Sequence, residues 1–250
     1  MITIPTGLPA ELVPLSWLLG VWEGTGVLDY TVGDRHVQHE FGQRVSFSND
    51  GLPYLNYNSY TWLIGDTPTD AAGEAADDSD FDTTDASDAS SASDVADPDA
   101  TDAADTDVTD ATDADGAEAN RPLVTETGYW RLGRPLTSGD PGPGMLPGVG
   151  RQPFTRTEAV ETLRNRDGGF DLEVSIVHPD GLSELYLGQI KGPRIDLATD
   201  AVIRSASAKE YNAATRLYGL VDAHLLWAWD IAALGQDLRT HASARLAKVD

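Results

Sequence analysis

Cysteine is absent from this 250-residue chain, which excludes several kinds of site. Without a thiol there are no disulfide bonds, no thiolate nucleophile and no metal site built on cysteine. Residues 1–20 lack the basic segment that opens a signal peptide, and no apolar run approaches the roughly 20 residues that span a membrane. These absences predict a cytoplasmic protein without a membrane partner.

Basic side chains are also scarce, with 17 Lys and Arg against 41 Asp and Glu, a formal net charge of −24. The excess acid is concentrated, because residues 66–120 contain 17 Asp and 2 Glu and no basic residue. The acidity therefore belongs to one segment rather than to a binding surface. Without a basic stripe to neutralise phosphates, nucleic acid is not expected as a partner.

Two segments are predicted to lie outside the regular structure. Residues 66–120 are an imperfect repeat of Asp, Ala, Thr and Ser, which has too few apolar side chains to offset the entropy lost on ordering. This composition predicts a long disordered acidic insertion. Residues 134–168 begin with a stretch rich in Gly and Pro and are predicted to be a mostly irregular loop. We expect 1–250 to be a single domain that these two segments interrupt.

The rest of the chain is typical of short antiparallel strands. Apolar and polar residues alternate strictly over 170–177, and the turn signal His-Pro-Asp-Gly at 178–181 follows. A short helix is predicted at 14–19, with Pro14 in its first turn. Strands are predicted at 21–30, 36–47, 54–64, 123–132, 170–177, 184–190, 194–198, 201–208, 213–221, 224–231 and 240–249. The pattern predicts an all-β fold, an up-and-down barrel of about ten strands, because closing the sheet removes its exposed edges.

The start of the first predicted strand places three glycines, Gly20, Gly24 and Gly26, around Trp22. Glycine is unfavourable inside a helix, so this run favours a strand that bends sharply or lets another backbone approach closely. A large ring beside residues that have no side chain indicates that Trp22 closes one end of the barrel. An ordinary glycine-rich strand start with a core tryptophan explains the same residues.

Five histidines are the candidates for chemistry. His36 and His39 are three residues apart on one predicted strand, so they point to opposite faces and are not expected to share a metal. His178 lies in a turn and is predicted at the surface. His224 opens a strand and has no evident partner. His241, on the last strand, is left as a candidate for a site with one histidine.

His241 is predicted to lie on one strand face with Ser243 and Arg245. No nucleophile elbow, phosphate-binding loop or His-Glu-x-x-His motif accompanies it. A site with a single histidine points to a cofactor that brings its other ligands. Haem is such a cofactor, because the porphyrin supplies four nitrogens and the protein one axial imidazole. From spacing alone, a purely structural histidine remains the alternative.

Several motifs together resemble the nitrobindin family. PLSWLLGVWEGTG is similar to the opening of that family, which carries the pattern Gly-x-Trp-x-Gly-x-Gly. TETGYWR, HPDGLSELYLGQI, RIDLATDAVIRSASAKE and GQDLRTHASARL then follow in the family's order. The resemblance implies a ten-stranded barrel, similar to fatty-acid-binding proteins and lipocalins, that binds one mostly ferric haem b per subunit. It also implies isomerisation of peroxynitrite to nitrate, binding of nitric oxide, and a homodimer.

The resemblance also assigns site residues. His241 matches the axial ligand of the haem iron and is therefore the expected catalytic residue. Thr31 and Lys209 match two further haem contacts, and a lysine suits a propionate as a point charge. The chain departs from the family around Thr31, where many relatives have Tyr-Pro-Thr-Ile and this chain has Asp-Tyr-Thr-Val.

Two functions from other classes fit the same barrel. A haem-free carrier of small hydrophobic ligands would need no His241 and would bind a carboxylate through an inward arginine, for which Arg245 is the candidate. A haem or nitric oxide sensor would use the acidic segment 66–120 to contact a partner.

Overall fold

The computed structural model describes residues 7–32, 35–65, 120–233 and 237–249. These residues form a closed antiparallel barrel in which each strand pairs with the next in sequence and the last pairs with the first. The strands are β1 (Gly20–Val32), β2 (Arg35–Ser48), β3 (Leu55–Leu63), β4 (Arg121–Leu132), β5 (Phe170–Val177), β6 (Leu182–Lys191), β7 (Arg194–Arg204), β8 (Tyr211–Val221), β9 (His224–Ala233) and β10 (Arg239–Val249). The predicted up-and-down barrel of about ten strands is confirmed.

The helices are few and short. A 3-10 helix, Ala10–Leu18, precedes β1, and a 3-10 turn, Pro143–Met145, and the helix α1 (Thr157–Glu161) lie between β4 and β5. The first helix begins at Ala10 and not at the predicted residue 14, so Pro14 lies inside the helix and not in its first turn. Leu12 and Leu15, which flank this proline, are completely buried, so packing stabilises turns that the proline disfavours. No helix of the described residues is both long and apolar enough to cross a membrane.

One strand differs from the prediction. The predicted strands 194–198 and 201–208 are a single strand, β7, which ends at Arg204, so residues 205–208 lie beyond it. Its register against β6 passes from Thr199 to Ala201, so Asp200 is the extra residue of a β-bulge. A bulge interrupts the alternation of side chains without ending the strand, which is why the sequence pattern looked like two strands. The strict alternation of β5 is present in the structure as predicted.

One end of the barrel is closed by the 3-10 helix. Trp22 is buried at this end, and its indole N–H donates to the main-chain carbonyl of Leu18 at 2.7 Å. A Cβ added to Gly24 would lie 2.3 Å from the main-chain oxygen of Arg245, so β1 and β10 approach too closely here for a side chain. The glycine-rich run therefore brings two strands together beside the tryptophan that plugs the barrel.

The opposite end of the barrel is called the rim here. Because neighbouring strands run in opposite directions, β1 and β9 end at the rim and β10 begins there. The connection from β3 to β4 also starts and ends at the rim. The predicted acidic insertion 66–120 lies in this connection and, apart from Asn120, outside the described residues. Residues 134–168 are mostly irregular, and the single-domain organisation of 1–250 stays a prediction.

Candidate functional site

His241 lies at the rim, in an irregular part of β10. The register against β9 pairs Thr240 with Asp230 and Ala242 with Trp229, which leaves His241 as the extra residue of a β-bulge. A bulge changes the direction in which its side chains point, and bulges are common next to functional sites. The side chain of His241 therefore leaves β10 in a direction that regular alternation along the strand does not predict.

The bulge overturns the predicted face of His241. Ser243 and Arg245 are exposed on the outside of the barrel. His241 is instead packed between two aromatic rings, with the Tyr30 ring centroid at 5.5 Å and that of Trp229 at 5.8 Å. The Trp229 ring stands perpendicular to the imidazole. Regular alternation predicted one shared face for the three residues, and it failed because one extra residue shifts the register.

Burial between these rings changes the acidity of the imidazole. Loss of solvent lowers the pKa of His241 below its usual value, because the charged form is disfavoured away from water. The neutral imidazole is the form that binds a metal. The described residues contain no cluster of three or more histidine and carboxylate side chains that could hold a metal ion. The geometry offers one neutral imidazole ligand at the rim.

The structure does not bring Thr31 and His241 together. Consecutive side chains of a strand point to opposite faces, and Tyr30 is the one that contacts His241. Thr31 shares its face with Asp29, whose carboxylate lies 2.9 Å from His36 Nε2 on the exposed outer surface. The haem contact assigned to Thr31 by resemblance stays a prediction, and Tyr30 is the neighbour of His241 that sequence matching missed.

Lys209 lies in the connection between β7 and β8, at the same end of the barrel as His241. Its side chain is exposed, and its main-chain carbonyl accepts a hydrogen bond from Arg204 at 3.1 Å. An exposed ammonium group at the rim is free to move toward an acidic group of a bound ligand. Its assignment as a propionate contact stays a prediction.

A second correction concerns His178, which is buried rather than at the surface. Its Nε2 lies 2.9 Å from an oxygen of Glu184, and its ring stacks on Trp229 with the centroids 6.3 Å apart. The turn at 178–181 is where it was predicted, but the side chain points back into the barrel. Glu184 lies on the next strand, and this pairing could not be inferred from the turn alone.

His178 belongs to a buried polar cluster that sequence analysis missed. Arg216 donates two hydrogen bonds to Glu126, at 2.8 and 2.9 Å, and a third to the hydroxyl of Tyr186 at 3.0 Å. Glu184 accepts from the hydroxyls of Tyr186 and Tyr211 at 2.5 and 2.6 Å. We call this group the interior polar cluster; its members are Tyr57, Glu126, His178, Glu184, Tyr186, Tyr211, Arg216 and Tyr218.

The charged side chains of the cluster stabilise one another. Burial alone would raise the pKa of Glu126, but the attraction and hydrogen bonds of Arg216 outweigh it and lower that pKa to about 2. Burial likewise raises the pKa of Tyr186, which keeps its hydroxyl protonated as a donor. The pKa of Glu184 is also lowered, so the cluster holds two carboxylates and one guanidinium surrounded by neutral phenols.

The cluster and the surrounding apolar side chains fill most of the barrel. The cavity that remains between them has a volume of about 50 Å³ and is lined by residues that include Leu28, Gln43, Arg216, Trp229 and Ala242. This volume matches one or two water molecules, since each occupies roughly 30 Å³ in the liquid. A ligand as large as a porphyrin does not fit in this cavity.

Comparison with known proteins identifies the family. A family model described as "THAP4-like, heme-binding beta-barrel domain" matches residues 11–248. The chain belongs to this haem-binding barrel family. The resemblance predicted from the sequence motifs is thereby confirmed.

The most similar relatives include proteins named "Peroxynitrite isomerase". The protein of Clavibacter michiganensis subsp. michiganensis is 57% identical over 250 residues, and that of Leifsonia xyli subsp. xyli is 56% identical over 250 residues. In both comparisons all of this chain and all of the relative are covered. The crystal structure of Rv2717c from M. tuberculosis covers 97% of this chain and 99% of its own, with a TM-score of 0.55 and 22% identity, and supports the fold alone.

The rim of this haem-binding barrel fits a haem held by one imidazole. His241 offers a neutral ring nitrogen there, and the interior is too full to admit a porphyrin. Within the described part of the chain, the buried indole N–H of Trp229 has no hydrogen-bond acceptor. A bound group that carries an acceptor could satisfy this donor, whose isolation costs about 1–3 kcal/mol.

Proposed function

We infer that this protein binds haem at the rim and isomerises peroxynitrite to nitrate. Its family is a haem-binding barrel, and relatives that are 56–57% identical over their full length carry the name peroxynitrite isomerase. The observation that carries the proposal is His241, a partly buried imidazole that a β-bulge places at the rim between Tyr30 and Trp229.

His241 would hold the haem iron through one ring nitrogen. We propose that the haem is ferric, that each subunit binds one, and that nitric oxide binds to the same site. Bound haem would supply a redox-active iron for the reaction with peroxynitrite. Tyr30 and Trp229 limit the rotation of the imidazole and keep water from it, which preserves its neutral form.

Two further residues are proposed as haem contacts on the basis of the family motifs. Lys209 would bind a haem propionate through its ammonium group, which is exposed at the rim. Thr31 matches the other contact by its place in the sequence, although Tyr30 is the β1 side chain beside His241. A Lys209→Ala variant is expected to weaken haem binding less than loss of His241.

The test of the proposal is the His241→Ala variant of the full chain. We expect it to lose the Soret band when ferric haem is added and to lose catalysed decay of peroxynitrite in stopped-flow measurements. His224→Ala is the matched control, because His224 lies at the other end of the barrel and contacts Arg245 on the outer surface. If His241→Ala keeps both signals, the assignment is wrong.

The carrier alternative is disfavoured by the interior of the barrel. Arg245, the arginine expected to bind a carboxylate, is on the outer face, 3.1 Å from His224 Nδ1. The inward arginine is Arg216, whose charge is already paired with Glu126. A cavity of about 50 Å³ has no room for a fatty acyl chain. The sensor alternative and the homodimer stay hypotheses, since both depend on partners.

A further inference from the structure

We propose that Trp229 is a positioning residue that orients the imidazole of His241, and that the interior polar cluster holds Trp229 in place through Arg216. This inference rests on the proposed function, because it assigns His241 as the group whose direction matters. It adds a connection between the buried cluster and His241 that crosses the neighbouring strands β8, β9 and β10.

The first observation is that Trp229 lies between His241, at the rim, and Arg216 of the cluster. Its ring stands edge-on to His241, with centroids 5.8 Å apart and an interplanar angle of 90°. The guanidinium carbon of Arg216 lies 4.3 Å from the ring centroid. His178 stacks on the ring at 6.3 Å, and Tyr211 contacts it at 6.4 Å. The indole is thus enclosed by one cation and three rings.

The second observation is that Arg216 is itself fixed. Its side chain is 3% exposed and bonded to both oxygens of Glu126 and to the hydroxyl of Tyr186. Moving it would leave a buried charge without a partner, which costs several kcal/mol. A cation held in this way over an indole face attracts the ring and restricts its tilt.

The third observation is that the backbone alone does not fix His241. A bulged residue is not paired in the ladder, so its side-chain direction depends on what packs against it. The residue opposite Trp229 in the register is Ala242, whose small side chain leaves the indole space to reach its neighbour. The side chain that meets His241 from β9 is therefore the anchored ring of Trp229.

The experiment compares Trp229→Leu, which removes the ring, with Trp229→Phe, which keeps one. Trp62→Leu is the matched control, because Trp62 packs against the exposed Tyr60 on the outer face of β3. Each full-length variant is titrated with ferric haem, and the iron–histidine stretching band of the reduced complex is recorded by resonance Raman spectroscopy. We expect Trp229→Leu to bind haem about tenfold more weakly and to shift the iron–histidine band. The reason is that removing a side chain that orients a metal ligand weakens binding of the metal. Trp229→Phe should recover most of both, and Trp62→Leu should resemble the wild type.

A haem-free measurement separates this inference from the proposed function. In the wild-type protein without haem, NMR should show nuclear Overhauser contacts between the ring protons of Trp229 and His241. Absence of these contacts overturns the inference even if the leucine variant fails to fold. An unchanged affinity and iron–histidine band in a folded Trp229→Leu variant also overturns it. Failure of the wild type to bind haem, with the contacts present, would overturn the proposed function alone.

Discussion

At the scale of single residues, position 24 shows why this fold needs glycine within a strand. A Cβ there would lie 2.3 Å from the main-chain oxygen of Arg245 and 3.0 Å from the Cα of Leu246, and backbone atoms cannot move aside cheaply. The requirement is therefore steric, and it arises from the pairing of β1 with β10. The glycine-rich run is thus needed for closing the barrel.

Gly24→Ala is expected to destabilise the protein by about 1–3 kcal/mol, the usual cost of forcing an extra carbon into a packed site. Gly219→Ala is the matched control, because Gly219 also lies in a strand and the only atom near its added Cβ is the oxygen of Pro193 at 3.8 Å. Thermal unfolding followed by circular dichroism measures both. Equal melting temperatures for the two variants would contradict the steric argument.

Glu126 gives a second prediction at this scale, for stability against pH. Its pKa is lowered from 4.5 to about 2, so the folded protein favours the carboxylate more than the unfolded chain does. The resulting stability is present above pH 4.5 and is lost as the pH falls toward 2. We expect a loss on the order of 3 kcal/mol from this group, since each pKa unit corresponds to about 1.4 kcal/mol.

Urea unfolding at a series of pH values measures this loss. Glu126→Gln is expected to be less stable at neutral pH, because Arg216 loses its charged partner, but to show a flatter dependence below pH 4.5. Glu23→Gln is the control, since the Glu23 side chain is 41% exposed in its pair with Arg44 and should leave the pH dependence unchanged. A parallel dependence in wild type and Glu126→Gln would contradict the assignment.

At the scale of elements, the 3-10 helix is held to the chain after β4 by a buried ion cluster. Arg134 donates to both oxygens of Glu11, at 2.8 and 2.9 Å, and to both oxygens of Asp140, at 2.9 and 2.7 Å. The three side chains are between 3% and 8% exposed. This cluster joins residues 123 positions apart in the sequence and secures the closed end of the barrel.

Arg134→Met should destabilise the protein by about 3–5 kcal/mol, because it leaves two buried carboxylates without their charged partner. Arg131→Met is the control: its pair with Glu173 lies at the surface, with side chains 32% and 31% exposed, and such pairs contribute about 0–1 kcal/mol. Chemical denaturation of both variants gives the comparison. A cost below 1 kcal/mol for Arg134→Met would show that the cluster is not a structural clamp.

Prediction from the sequence was most accurate for the secondary-structure elements. Strands such as β5 were found because alternation is a local property of the chain. Two failures, the division of β7 and the shared face predicted for His241, Ser243 and Arg245, occur at β-bulges, where one extra residue reverses the alternation. The pairing of Glu126 with Arg216 spans 90 residues, so no local pattern could reveal it. The position of His241 at the rim was accessible to sequence, but its aromatic neighbours were not.

At the scale of the whole molecule, the acidic segment 66–120 carries most of the net charge. It joins β3 to β4, whose ends already pair directly through Leu63 and Arg121. A short turn can therefore replace the segment without changing the register of the barrel. The sensor hypothesis is the one reading of this protein that gives the segment a function.

Replacing residues 66–120 by a two-residue Asn-Gly turn is expected to leave the melting temperature, the affinity for ferric haem and the decay of peroxynitrite close to wild type at physiological salt. The reason is that His241, Tyr30 and Trp229 lie on β10, β1 and β9, and none of these strands is joined to the segment. At low salt the shortened protein should react faster with the peroxynitrite anion, because about 19 negative charges no longer repel this anion. Added salt should remove the difference in rate between the two proteins, because it screens these charges. A loss of haem affinity after the replacement would instead make the segment part of the binding site and would favour the sensor hypothesis.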